Sequence, residues 1–182
     1  MLALVIFWGT VVPAIDEAIT ADEITPGTVF TLGASGATVS FTPAPGWVVS
    51  GVPVPSQPKL QIYDEGVSFD ISVGRFDGTP AELLDDVRDL HDELGFEGDE
   101  ETFTTASGIP GAAVEIVGVG QDGGLFAMVA ENPAPDGGPL GLGRPVGIEV
   151  IVEGPPQSLQ RHTDEIAQMI SDLTVEFPGA GS

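Results

Sequence analysis

The chain has 182 residues, 42% of them hydrophobic, with no cysteine and a formal net charge of −23 from 28 acidic and 5 basic side chains. This length suits one domain with a substantial core and is too short for two ordinary domains. The charge disfavours nucleic acid and anionic membrane surfaces as partners and leaves basic proteins and cations, while the lack of cysteine excludes disulfides, thiolate catalysis and cysteine metal sites.

The N-terminus is an apolar stretch, MLALVIFWGTVVPAI, followed by Asp16 and Glu17. A membrane span needs about 20 apolar residues, and this stretch is shorter and has no basic flank. We interpret residues 1–24 as an N-terminal hydrophobic helix, the outer part of a membrane anchor whose beginning lies upstream of Met1. A cleaved signal peptide and a helix docked on protein are the alternatives. Because no basic residue occurs between Ile15 and Lys59, the positive-inside rule predicts a single-pass membrane protein with its bulk extracytoplasmic.

Two β-hairpins are predicted next. TVFTL and ATVSFTP flank the small-residue turn GASG, and KLQIY and VSFDISVGRF flank DEG. In the last strand apolar and polar residues alternate from Val67 to Val73, which is the period of a half-buried strand.

The segment TPAELLDDVRDLHDELG predicts a helix from Pro80 to Leu94. Thr79 stands at the N-cap and Glu82 at the third helical position, as in a capping box. The apolar stripe predicted to face the sheet consists of Leu83, Val87, Leu90 and Leu94. The opposite face is acidic and is our candidate partner-binding face; it consists of Glu82, Asp85, Asp86, Asp89, Asp92 and Glu93.

The remaining elements are three or four strands and a final helix. A run from Thr102, then SGIPGAAVEIVGV, LFAMVAEN and PVGIEVIVE predict the strands, and Pro156 to Leu173 predicts the helix. These connections indicate an α+β domain over residues 25–178, a single mainly antiparallel sheet packed by two main helices, followed by a tail at 179–182. ENPAPDGGPLGLGRP, residues 131–145, is interpreted as a mobile surface loop. The predicted buried residues are Leu83, Val87, Leu90, Phe69, Ile71, Val114, Ile116, Phe126, Met128, Ile148, Val150, Ile166, Met169 and Ile170.

Several motifs have an ordinary structural interpretation. GVGQDG, residues 118–123, matches a dinucleotide fingerprint but precedes a strand where a helix is required, so it is predicted to be a turn. Ser35 in GASGA misses the nucleophile-elbow pattern. His91 and His162 lie on different helices and are interpreted as boundary residues. We assign no catalytic, cofactor or metal residues, and loose cation binding by the acidic runs stays open.

Three stretches carry a resemblance to a known family. FTPAPGWVVSG with Gly46-Trp47, the helix TPAELLDDVRDLHDEL, and SGIPGAAVEIVGV with its Ile-Pro-Gly resemble the PsbP-like fold. The resemblance covers about Thr28 to Phe177 and is closest in style to the LpqN-type anchored or secreted proteins of actinobacteria. It implies a scaffold for binding other proteins, without a shared enzymatic site. The absence of a lipobox cysteine departs from the LpqN type and leaves the N-terminal helix as the only tether.

The sequence therefore leads to two hypotheses about function. The first is a membrane-anchored, extracytoplasmic, non-enzymatic binding or scaffold domain of the bacterial cell envelope, whose acidic helix face steers a basic envelope protein. The alternative is a small-ligand carrier or hydrolase with a pocket beneath the 131–145 loop, where Arg144 meets an anionic group.

Overall fold

The computed structural model describes residues 24–34, 36–50, 58–133 and 144–177. Residues 1–23 of the predicted N-terminal helix, Ser35, most of the 131–145 loop and the 179–182 tail lie outside these ranges. The described part of the chain contains ten strands and two helices: β1 (Phe30–Ala34), β2 (Ala37–Phe41), β3 (Val48–Val49), β4 (Lys59–Asp64), β5 (Val67–Arg75), α1 (Pro80–Leu90), β6 (Phe96–Thr104), β7 (Pro110–Val117), β8 (Asp122–Ala130), β9 (Val146–Gly154), α2 (Pro156–Ser171) and β10 (Thr174–Glu176).

Seven strands form the larger sheet, in the order β3-β4-β5-β9-β8-β7-β6, and all neighbours are antiparallel. The β4–β5 hairpin forms as predicted and closes on Glu65 and Gly66. Both residues have positive φ, 43° and 85°. A two-residue hairpin turn of this kind requires that conformation because it matches the twist of the strands, and glycine adopts it without steric cost.

A second, three-stranded sheet corrects the prediction of a single sheet. Its order is β1-β2-β10. The predicted GASG hairpin supplies β1 and β2, and β10 pairs with β2. The inner face of the hairpin is apolar and packs on the larger sheet, with the Phe41 and Phe69 rings stacked 5.8 Å apart. Because the apolar face of the hairpin must be buried, the hairpin packs on the larger sheet as a second layer and does not extend it.

The larger sheet has a hydrophobic cluster on each face. Alternate residues of β9 show this, since Val150 belongs to one cluster and Ile151 to the other. α1 covers the face of Ile151, and α2 lies with the three-stranded sheet on the face of Val150. The result is the α+β class that was predicted.

The first helix is shorter than predicted, which makes one core assignment wrong. α1 ends at Leu90, and Leu90 is 75% exposed. The buried side of the helix consists instead of Leu83, Leu84 and Val87. Since the chain leaves the helix at His91, Leu90 stays exposed, whereas Leu94, beyond the helix, is partly buried against the cluster that α1 covers. Phe126 is only partly buried. The other twelve predicted core residues are buried: Leu83, Val87, Phe69, Ile71, Val114, Ile116, Met128, Ile148, Val150, Ile166, Met169 and Ile170.

The glycine-rich stretch at 118–123 is a turn between β7 and β8, as predicted. The Gly118 N–H donates to the Gln121 carbonyl at 2.7 Å, and Gly120 has a φ of 80°. A strand follows, so no helix N-terminus is available for a pyrophosphate at this point.

Candidate functional site

The predicted acidic face is solvent-exposed. All six carboxylates, from Glu82 to Glu93, are exposed, and they share this surface with Arg88 and His91. The ion pairs are local: Asp85 lies 3.8 Å from Arg88, and Glu93 lies 3.4 Å from His91. The Arg88 guanidinium also lies 5.6 Å above the Phe96 ring, which keeps this cation at the edge of the acidic face. The face therefore presents an excess of negative charge to solvent.

One of the six carboxylates, that of Glu82, stabilises the N-terminus of α1. The Glu82 carboxylate accepts the Thr79 backbone N–H at 2.8 Å, and the Thr79 hydroxyl accepts the Glu82 N–H at 3.3 Å. The backbone hydrogen bond from Thr79 lowers the pKa of Glu82, and the Thr79 side chain lowers it further. This is the predicted capping box. Glu82 is therefore held by the helix end. Asp85, Asp86 and Asp89 lie on α1 and Asp92 lies in the turn just after it, and these four aspartates form the part of the acidic face open to a partner.

A polar junction lies on the other side of the molecule, where α2 meets Trp47 and the β4–β5 turn. Trp47 is fully buried, and its Nε1–H donates to Glu165 Oε2 at 3.1 Å. His162 Nδ1 lies 2.9 Å from the same oxygen. The His162 ring packs edge-on against the indole, with centroids 5.6 Å apart. One carboxylate oxygen thus holds two aromatic side chains that come from distant parts of the chain.

The charge state of Glu165 follows from these contacts. Burial raises the pKa of Glu165, but the hydrogen bonds from His162 and Trp47 and the charge of His162 outweigh burial, so the net shift is downward. The group is therefore a carboxylate at neutral pH. A carboxylate only accepts hydrogen bonds, so His162 Nδ1 carries a proton.

Among the described residues, the opposite ring nitrogen of His162 has no hydrogen-bond partner. Nε2 is fully buried and lies 3.9 Å from Asp64 Oδ2. Next to it, Arg161 Nη2 donates to Glu65 Oε2 at 2.6 Å and to the Ser158 hydroxyl at 3.2 Å. Two successive residues of α2 therefore face two successive residues of the β4–β5 turn.

The sequence carried only part of the signal for this junction. The spacing of His162 and Glu165, three residues apart on a predicted helix, indicates that the two side chains can meet. The contacts with Trp47 and Asp64 join residues that are about a hundred positions away, and no local pattern predicts them. The interpretation of His162 as a boundary residue missed the burial of its ring and the hydrogen bond to Glu165.

An open groove of about 900 Å³ lies where the 131–145 loop leaves β8. Arg144 is exposed and does not line it. The Ser107 hydroxyl is engaged there, since it donates to the Leu173 carbonyl at 2.6 Å. The lining residues are Ser107, Gly108, Ile109, Pro110, Ala130, Glu131, Pro133 and Thr174 to Phe177.

Within residues 24–34, 36–50, 58–133 and 144–177, no three histidine or acidic side chains are grouped so as to hold a metal ion. Neither described helix is long and apolar enough to cross a membrane. The predicted anchor falls outside the described residues. Ile24, at the end of the predicted N-terminal helix, is described; it is buried in the core, and its N–H donates to the Trp47 carbonyl at 2.9 Å.

Comparisons with known proteins show that this chain is similar in fold to solved structures. No protein-family model matches the chain, and no curated protein matches it. Among solved structures, it is similar to LpqN of Mycobacterium tuberculosis, a protein described as involved in cell envelope biogenesis. The identity is 13% over 81% of this chain and 91% of LpqN, with a TM-score of 0.55. It also matches the cyanobacterial PsbP (CyanoP) of Synechocystis, at 13% identity over 84% of this chain and 94% of that protein, with a TM-score of 0.47. The predicted resemblance to the LpqN-type fold is thus confirmed.

Proposed function

We propose that this protein is a non-enzymatic binding domain of the cell envelope, tethered to the membrane by its N-terminal hydrophobic segment, with its bulk on the outer side. Its partner is a basic envelope protein, which docks on the acidic face of α1. The observation that supports this most is the exposed row of carboxylates on α1, which shares the helix with a single arginine. The fold that the chain shares with LpqN agrees with a place in the envelope.

Long-range attraction gives such a face its effect. Like charges on one helix face sum to a field that raises the rate of encounter with a basic surface, and salt screens that field beyond about 10 Å at 0.1 M. The charge is not needed to hold α1 in place, since the capping box and the buried leucines do that. The four aspartates can therefore be neutralised without unfolding the domain.

The test is a pull-down of envelope proteins with the full-length chain and a quadruple variant, Asp85→Asn, Asp86→Asn, Asp89→Asn and Asp92→Asn. We expect one or more basic partners to be lost in the variant and to weaken as salt rises. Glu82 is left intact because it caps the helix.

A matched control removes the same charge elsewhere. The exposed strand β6 also carries four acids, and their amide variants are Glu97→Gln, Asp99→Asn, Glu100→Gln and Glu101→Gln. If this control loses the same partners, net charge rather than the α1 face is responsible, and the proposed site is wrong.

The tether has its own test, which is membrane fractionation of the protein expressed from its natural start codon, with and without its N-terminal hydrophobic segment. We expect the full-length chain in the membrane fraction and the truncated chain in the soluble fraction. Recovery of the uncleaved full-length chain in the soluble fraction would contradict the anchor.

The second candidate is a small-ligand carrier or hydrolase, and the groove beside β8 is the observation that favours it. The groove is wide and lined mostly by apolar residues, such as Ile109, Val175 and Phe177, and neither histidine lines it. Ligand sites are usually more enclosed, with a few converging polar groups. Turnover of a substrate that a change of Glu131 or Thr174 abolishes would establish this candidate in place of the first.

A further inference from the structure

The junction of α2 with the β4–β5 turn contains a histidine whose contacts are complete only in its doubly protonated form. In the neutral ring, Nδ1 carries the proton that is donated to Glu165, so Nε2 presents a lone pair. That lone pair faces the Asp64 carboxylate at 3.9 Å. Two acceptors cannot hydrogen-bond to each other, which accounts for the missing partner of Nε2.

Charged side chains from both elements lie around the His162 ring. α2 contributes Arg161 and Glu165 to this junction, and the β4–β5 turn contributes Asp64 and Glu65. The segment before Trp47 contributes no charged side chain. Arg161 is paired with Glu65, which leaves two carboxylates, one facing each ring nitrogen of His162.

The gap between His162 and Asp64 is slightly longer than a hydrogen bond. An N–H···O hydrogen bond needs a separation of about 2.7–3.2 Å, so the distance of 3.9 Å must shrink by roughly 1 Å. Gly46 lies beside Asp64; a side chain there would begin 3.4 Å from Asp64 Oδ2. The φ of Gly46 is +97°, which strongly favours glycine and keeps this space free of a side chain.

We propose that His162 is a proton-operated latch: when its ring gains the second proton, Nε2–H donates to Asp64 and tightens the contact between the β4–β5 turn and α2. Arg161 and Glu65 are the constant half of this contact, because an arginine stays charged at every physiological pH. Histidine is the side chain that proteins use to respond to acidification. Trp47 reports the change directly, since its indole shares Glu165 with the ring.

The test is nuclear magnetic resonance of the full-length labelled chain between pH 8 and pH 5. The chain has only two histidines, so their ring signals are readily assigned. We expect three sets of signals to follow one titration curve: the His162 ring, the Trp47 indole N–H, and the backbone amides of Glu65 and Gly66. A ring that stays singly protonated down to pH 5, or turn amides that do not move with it, would overturn the latch.

Three variants separate the latch from a general effect of pH. His162→Gln should abolish the response of both Trp47 and the turn, and His91→Gln, at the exposed histidine, should leave both unchanged. Asp64→Ala keeps the ring but removes its acceptor, so the turn amides should no longer follow it. This third variant keeps the proposal testable if His162→Gln fails to fold. An undiminished turn response in Asp64→Ala would show that another group, such as a buried water, binds Nε2, and would refute the proposal.

Discussion

The two helices pack on opposite faces of the same sheet, but different interactions hold them. α1 is fixed locally, by its capping box and three buried side chains, and its ion pairs join residues of the helix to one another or to the turn that follows. α2 has no side-chain cap at its N-terminus, where Pro155 precedes Pro156. Its polar side chains reach across the fold instead, from Arg161 to Glu65 and from Glu165 to Trp47.

The polar faces of α1 and α2 therefore have different roles. The polar contacts of α2 are tertiary contacts, so changing them should disturb the packing of the domain. The exposed carboxylates of α1 contribute little to the fold beyond Glu82, so changing them should leave the domain intact. A helix face whose side chains are not needed for packing is free to bind a partner. This is why we place the proposed site on α1.

The largest effect that would test this comparison is expected from Trp47→Ala. It removes a fully buried ring that packs on Phe69 and His162. Truncating a buried aromatic side chain costs about 3–5 kcal/mol of unfolding free energy. Urea unfolding followed by circular dichroism measures the loss. Tyr63→Ala is the control, because Tyr63 is 47% exposed, and we expect a loss of about 1 kcal/mol there. Similar losses in the two variants would contradict the prediction that Trp47 contributes strongly to the free energy of unfolding.

A smaller loss is expected from Glu165→Ala. It leaves the buried Trp47 N–H without its acceptor, and a hydrogen bond to a charged group contributes about 1.5–3 kcal/mol. Asp164→Ala, one residue earlier and exposed, should change the stability by no more than about 0.5 kcal/mol.

The pH dependence of this variant follows from the lowered pKa of Glu165. A carboxyl whose pKa is lower in the folded state stabilises the fold above its unfolded pKa of about 4.3 and loses that contribution as the pH falls through the folded value. The difference in Tm between wild type and Glu165→Ala should therefore be present above about pH 4 and shrink as the pH falls below that value. A difference that stays undiminished well below pH 4 would contradict this assignment.

The smallest of these effects concerns the capping box of α1. Thr79→Ala removes the hydroxyl that accepts the Glu82 N–H, and the loss of such a cap costs about 1 kcal/mol. Thr163→Ala in α2 is the matched control: the Thr163 hydroxyl donates to the Leu159 carbonyl within the helix, a contact that slightly destabilises helices. We expect a lower Tm in the first variant and an unchanged or slightly raised Tm in the second. Equal losses would mean that the two helices do not differ in the way described.

The sequence predicted the elements that have a local signal. Alternation placed β5, and the capping pattern of Thr79 and Glu82 placed the start of α1 at the correct residue. β10 has three residues and no period of its own, so the second sheet could not be predicted from pattern. Leu90 fits the apolar stripe of α1, but the stripe does not tell where the helix ends. The junction around His162 depends on contacts between residues about a hundred positions apart, which only the folded chain brings together.

The place of β9 in the sheet bears on how the chain folds. β9 is the fourth of seven strands and lies between β5 and β8, yet it is the last strand of that sheet in the sequence. Until it is added, β3-β4-β5 and β6-β7-β8 are two separate antiparallel units with no ladder between them. β10 then joins the C-terminal end of the domain to β2. Since such long-range pairing slows folding, we expect the core to close late, after both halves have formed, and on a scale of milliseconds to seconds.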